Sequence, residues 1–192
     1  MSKFKVTETP IEGLIIIEPA VNNDKRGFFM ETYSKADFEE IGIFEEFVQD
    51  NHSKSARGVL RGLHFQREHT QGKLVRATAG AILDVAVDLR PGSRTYGAAH
   101  SIELSAENKR MFYIPPMFAH GFLTLENDTE VLYKCTDYYH PESEAGIIWN
   151  DQILCIDWQF ERYNIDEKYL NLSPKDKKFP IFRHWNPQTL WK

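Results

Sequence analysis

The stretch Leu83-Asp84-Val85-Ala86-Val87-Asp88-Leu89 decides the fold class. Its aliphatic residues fall at every odd position and Asp84, Ala86 and Asp88 at the even ones. That is the period of two that marks a half-buried strand. Strand-length runs of the same kind lie on either side: Leu14 to Ile17, Phe28 to Tyr33, Phe47 to Asp50, Gly58 to Phe65, Lys73 to Ala77, Ser101 to Leu104, Met111 to Ile114, Gly121 to Leu125 and Val131 to Thr136. Turn-rich pieces separate them, a pattern that predicts an all-β antiparallel sandwich or barrel. One helix is signalled inside this region. Ser34 is placed to cap it, Asp37 sits three residues on, Phe38 and Ile41 give an apolar edge, and Gly42 can end it. A further short helical turn is expected at Ser105 to Asn108. From Trp158 the alternation is lost while tryptophans, prolines and charges accumulate, which predicts a tail wrapped over the barrel.

Composition narrows the class. The 192 residues suit one domain, expected over 1–192, and the 42% hydrophobic content is enough for a substantial core. Twenty-three basic residues against 28 acidic ones give a net charge of -5 with no dominant basic block, so nucleic acid is not an expected partner. The two cysteines, Cys135 and Cys155, make neither a disulfide framework nor a paired metal knuckle, which suits a reducing compartment. The longest aliphatic run, Leu14 to Ile17, is far short of a membrane span, and the start of the chain carries acids where a signal peptide would be apolar. A cytoplasmic protein with no membrane partner is expected.

Candidate chemistry is concentrated in a few segments. In Gly58 to Gln66 (GVLRGLHFQ), alternation puts His64 on one face with Gly62 and Gln66. An imidazole facing a barrel lumen can take a proton, and a hydrogen-bonded core histidine is the plainer alternative. Strict alternation turns Arg61 to the opposite face, while a bulge at Gly62 would bring its guanidinium into the same cavity. There it suits a phosphate or carboxylate, the alternative being an ion pair with an acid. Lys73 opens the next strand and is either an oxyanion stabiliser or a solvated amine. Pro115 and Pro116 stiffen the loop that presents His120. Tyr133 shares a face with Val131 and Cys135 and reads as an acid or a packed ring. Tyr138 and Tyr139 can stack on a base or pack. His64, Glu68, His69 and His120 have the atom types of a metal site, but the position two after His64 is Gln66, a poor ligand, and no metal is expected.

Taken together, the segments Asp24 to Glu31 (DKRGFFME), Gln49 to Asn51 (QDN), Gly58 to Gln66, Gln71 to Arg76 (QGKLVR), Asp84 to Arg90 (DVAVDLR), Phe118 to Phe122 (FAHGF), Tyr133 to Tyr139 (YKCTDYY) and Leu172 to Asp176 (LSPKD) resemble the dTDP-4-dehydrorhamnose 3,5-epimerase family along nearly the whole chain. The resemblance implies a cupin fold, a double-stranded β-helix (jelly-roll) barrel with short peripheral helices. It implies an isomerase that inverts C3 and C5 of dTDP-4-dehydro-6-deoxy-D-glucose through enolates, with no cofactor. It assigns His64 as base, Asp176 as its carboxylate partner, Tyr133 as acid and Lys73 as stabiliser of the C4 oxygen. Arg26, Glu31, Gln49, Asn51, Arg61, His120, Glu144 and Lys175 are implied to contact the nucleotide-sugar, with Tyr138 as a stacking ring. A homodimer is also implied, with an N-terminal strand exchanged and Arg26 serving the partner's site. Inversion at C3 or C5 alone, in a related nucleotide 4-keto sugar, and a non-catalytic sugar-binding cupin are the alternatives.

Overall fold

A computed structural model describes residues 3–191; Met1, Ser2 and Lys192, part of the unit expected over 1–192, lie outside the described residues. The strands run β1 (Phe4–Glu8), β2 (Ile15–Pro19), β3 (Asn22–Asp24), β4 (Gly27–Phe29), then helix α1 (Lys35–Glu40), β5 (Gln49–Ser55), β6 (Leu60–Gln66), β7 (Lys73–Ala79), β8 (Ala81–Asp88), β9 (Ala99–Ser105), β10 (Met111–Ile114), β11 (Phe118–Thr124), β12 (Thr129–Cys135) and β13 (Glu144–Gly146). They form a six-stranded sheet in the order β1-β2-β10-β7-β12-β5, a five-stranded sheet in the order β13-β6-β11-β8-β9, and the small hairpin β3-β4. Neighbouring strands pair antiparallel throughout. This is the expected jelly-roll barrel, with the short turns outside it.

β8 is buried on both faces, and its alternation works in the reverse of the usual sense. The odd residues Leu83, Val85, Val87 and Leu89 point outward, yet none is exposed, because the C-terminal segment covers them with Trp158, Trp191 and Leu190. Burying each such aliphatic side chain is worth roughly 1.5–3 kcal/mol. The wrap predicted for the tail is therefore a second core. The even face points into the barrel, where Ile82 and Ala86 join Val75, Phe112, Phe118, Phe122 and Val131. Asp84 and Asp88 share that inner face with no exposure at all.

The helix expected after Ser34 is α1, with Ser34 at its N-cap position but making no side-chain capping hydrogen bond, and Gly42 follows with φ +89. It seats Phe38 among Phe4, Ile17, Leu74 and Met111 on the outer face of the six-stranded sheet. The expected strand Phe28 to Tyr33 shrinks to the hairpin, where Phe28 and Phe29 stay exposed. Ser105 to Asn108 is a turn closed by reciprocal Ser105 and Asn108 hydrogen bonds and is not a helix. β1 pairs with β2, Phe4 opposite Pro19 and Glu8 opposite Ile15, at the edge of the six-stranded sheet.

Candidate active site

One end of the barrel holds a cavity of about 370 Å³, built from inward positions on both sheets. From the six-stranded sheet come Gln49, Asn51 and Ser53 on β5, Lys73 on β7 and Tyr133 on β12. Register brings them together, since Tyr133 lies opposite Asn51 on one side and Val75 on the other, and Cys135 lies between Gln49 and Lys73. The period of two points every alternate residue of these strands at the lumen.

The five-stranded sheet contributes Arg61, His64 and Gln66 on β6 and His120 on β11. His120 is the direct partner of His64, whereas Phe122 pairs with Arg61, so one extra residue is accommodated between them on β6. That bulge is centred on Gly62, which has φ +120. A Cβ there would stand 2.5 Å from the Gly121 Cα and 2.8 Å from the His120 carbonyl oxygen. Only glycine fits, and the shift in alternation is what turns Arg61 to the same face as His64.

Electrostatics distinguish these groups from ordinary core polar residues. His64 Nε2 and Asp176 Oδ1 are hydrogen-bonded at 2.5 Å, and the Ser173 hydroxyl donates to Asp176 Oδ2 at 2.8 Å. Burial pushes the Asp176 carboxyl up, but the His64 and Ser173 bonds, with the nearby Lys175 charge, outweigh it and hold the group below the usual range. The Phe179 ring stands edge-on to the imidazole, with centroids 5.5 Å apart. His120 Nε2 is bonded to Asp84 Oδ1 at 2.7 Å, while Asp84 Oδ2 is buried without a partner among the described residues. Burial raises the Asp84 pKa, against the pull of His120 and Lys73. Lys73 is buried, with no carboxylate at ion-pair distance among the described residues. Burial lowers its pKa, opposed by Cys135 and Asp84. Burial also raises the Tyr133 hydroxyl pKa.

At the mouth, Glu144 receives Lys175 Nζ at 2.6 Å and the Tyr139 hydroxyl at 3.2 Å. Gln49 donates to Asn51 and accepts from the Tyr139 backbone N–H at 2.9 Å. The Arg61 guanidinium donates to Ser55 Oγ at 3.1 Å and pairs with no acid among the described residues. Arg61, which is exposed, and Lys73, which is buried, thus both reach the lumen without an ion-paired acid among the described residues, and an anionic ligand group would complete them.

Of the residues singled out in the sequence, Gln49, Asn51, Arg61, His64, Lys73, His120, Tyr133, Glu144 and Lys175 line this cavity, and Asp176 stands directly behind His64. Three lie apart from it. Arg26 is on the exposed β3–β4 hairpin, bonded to Asp24. Glu31 pairs with Lys3 at 2.8 Å. Tyr138 is 59% exposed and contributes only its carbonyl to Gln66, while its neighbour Tyr139 lines the cavity. Ser53, Gln66, Gln71 and Asp84 were not singled out for a ligand. Asp84 carried a signal, being an acid on the minority face of the decisive strand. Among the described residues, His64, Glu68 and His120 belong to no group of converging ligand atoms, whereas His69 converges with Asp137 and His140.

A jelly-roll barrel holding a histidine-carboxylate pair, a buried lysine and a tyrosine around one cavity defines an enzyme of the cupin type. Residues 8–184 match the profile of the dTDP-4-dehydrorhamnose 3,5-epimerase family, and the chain belongs to that family. It is 53% identical over 187 residues to the dTDP-4-dehydrorhamnose 3,5-epimerase of Methanothermobacter thermautotrophicus, covering 97% of this chain and 96% of that one. The Escherichia coli enzyme of the same name is 52% identical over 177 residues, covering 91% and 92%. Among solved structures, the Legionella pneumophila dTDP-6-deoxy-D-glucose-3,5-epimerase in complex with dTDP-4-keto-L-rhamnose superposes with a TM-score of 0.91 at 47% identity, covering 98% of each chain.

Proposed function

We propose that this isomerase inverts C3 and C5 of dTDP-4-dehydro-6-deoxy-D-glucose, giving dTDP-4-dehydro-L-rhamnose through two enolates and without a cofactor. The observation that carries the reading is the His64–Asp176 hydrogen bond opening on the same cavity as Tyr133 and the unpaired Lys73. A 4-keto group acidifies the hydrogens on C3 and C5, so a base, an acid and an oxyanion stabiliser suffice for each inversion. His64 removes the proton, and Asp176 stabilises the imidazolium that results. Lys73 faces the C4 oxygen as it becomes negative, and an anion forming beside this desolvated amine favours its charged state. Tyr133 returns a proton on the other face of the ring.

Arg61 and His120 bind the diphosphate or the sugar, and Gln49, Asn51, Glu144 and Lys175 hold the rest of the nucleotide-sugar. Remote contacts of this kind position the hexose for reaction. The chain works as one unit in the cytoplasm; no helix among the described residues is long and apolar enough to cross a membrane. It acts as a homodimer, in which the exposed Arg26 and the half-buried Glu31 reach the partner's cavity and Tyr138 stacks at the rim.

Proton NMR of the substrate with the enzyme in deuterium oxide tests this. Signal loss with inversion at both C3 and C5 is expected. Inversion at one carbon would make the enzyme a mono-epimerase, and a folded preparation that catalyses no exchange would overturn the reading.

A further inference from the structure

Outside the cavity, His69, Asp137 and His140 bring one ligand atom each to within 4.8 Å of the others. We propose that these three side chains bind one divalent metal ion of the zinc class, at a rim site that the epimerase chemistry does not use. His69 lies in the β6–β7 connection, and Asp137 and His140 lie in the loop after β12, so an ion there would clip together the two segments that frame the mouth. The His69 and His140 rings are stacked, with centroids 3.9 Å apart and planes 13° from parallel, so the two imidazoles occupy one spot on the rim. Asp137 Oδ2 stands 3.4 Å from His69 Nδ1.

Two imidazoles and a carboxylate are a donor set that zinc accepts, leaving a fourth position to water or substrate. Tetrahedral zinc with bonds of about 2.0–2.1 Å sets its ligand atoms roughly 3.4 Å apart, so binding requires these atoms to close in from their present spacing of up to 4.8 Å. The backbones that carry them are already held. Buried Gln66 donates to the His69 carbonyl at 2.7 Å and accepts the His140 N–H at 2.7 Å, and Gln71 donates to the Asp137 carbonyl at 2.8 Å. His140 Nδ1 is bonded to Glu142 Oε1 at 3.1 Å, leaving Nε2 for a metal in the carboxylate–histidine–metal pattern that orients ligating imidazoles.

The test is titration of the chelator-stripped full chain with Zn²⁺ by calorimetry, with Co²⁺ as the absorbing probe of coordination. One ion per chain is expected, and Zn²⁺ should shift the His69 and His140 imidazole resonances of the unaltered protein. His69→Gln and His140→Gln should each weaken binding at least ~10-fold, while His64→Gln should leave it unchanged. Absence of stoichiometric binding, unmoved His69 and His140 resonances, or loss of binding in His64→Gln with retention in His69→Gln would overturn the proposal. Because these readouts are of binding, they stand whether or not the epimerase reading holds.

Discussion

His64 and Asp176 lie 112 residues apart in the chain and share a 2.5 Å hydrogen bond, with the second carboxylate oxygen held by Ser173. The carboxylate is therefore anionic at neutral pH and fixes one ring nitrogen of the imidazole. With His64 as base, His64→Ala is expected to lower kcat by roughly 10²–10⁴, with dTDP binding still measurable by calorimetry. Asp176→Asn should lower kcat in the same direction by less. Full turnover in His64→Ala would refute the assignment of the base.

Tyr133→Phe separates proton removal from proton return. The base remains, so exchange of the substrate's carbon-bound hydrogens into deuterium oxide should continue while formation of the inverted product collapses. Exchange and inversion lost in the same proportion would show that Tyr133 is not the acid.

Lys73→Met should abolish most turnover and also alter the pH dependence of stability. The folded pKa of Lys73 is depressed below its ordinary 10.5 by burial. The unfolded chain therefore binds the extra proton between the two pKa values, and the penalty of burying the charge is full below the folded pKa and fades as pH rises to 10.5. Denaturant titrations should show the Met variant gaining on the parent as pH falls through that window. A constant difference would mean that the amine titrates normally.

Gly62→Ala would place a methyl group against the Gly121 backbone at a φ of +120. A loss of roughly 3–5 kcal/mol by chemical denaturation is expected, from backbone strain and overpacking together. Activity should fall as well, because the bulge positions Arg61. A variant of parental stability would show that β6 can straighten.

Asp88 is fully buried. Burial pushes its pKa up, but bonds from Arg90, Ser93, Thr95 and the Arg90 backbone hold it at about 2. Set against an ordinary value of 3.8, this depression contributes roughly 2–3 kcal/mol at neutral pH. It is present above 3.8 and lost as pH falls through about 2. Asp88→Asn should therefore be destabilising by about that amount at pH 7, with the gap to the parent closing in acid. A gap independent of pH would assign the loss to shape and not to charge.

Periodicity located most of the barrel because strand alternation is a local property. It overlooked β1, β3 and β13, and it placed β5 too early. Asn22-Asn23-Asp24 has no apolar residue, and Gln49 to Ser55 alternates among polar residues only, so neither offers a hydrophobic signal. His64 and Tyr133 were legible as residue type and face and Lys73 as residue type alone, and the family resemblance added Asp176.

By itself the sequence determined an all-β chain, one helix from Ser34 to Gly42, and the side chains available for acid-base chemistry. Only the tertiary structure decided which face of each strand became the lumen. On β8 the aliphatic side faces out, because the C-terminal wrap covers it, and Asp84 and Asp88 face in. It also decided that Arg61 joins His64 across the Gly62 bulge, that Tyr139 and not Tyr138 lines the cavity of this chain, and that Arg26 and Glu31 lie away from it. Alternation says that two faces differ; what packs against each one comes from residues distant in the chain.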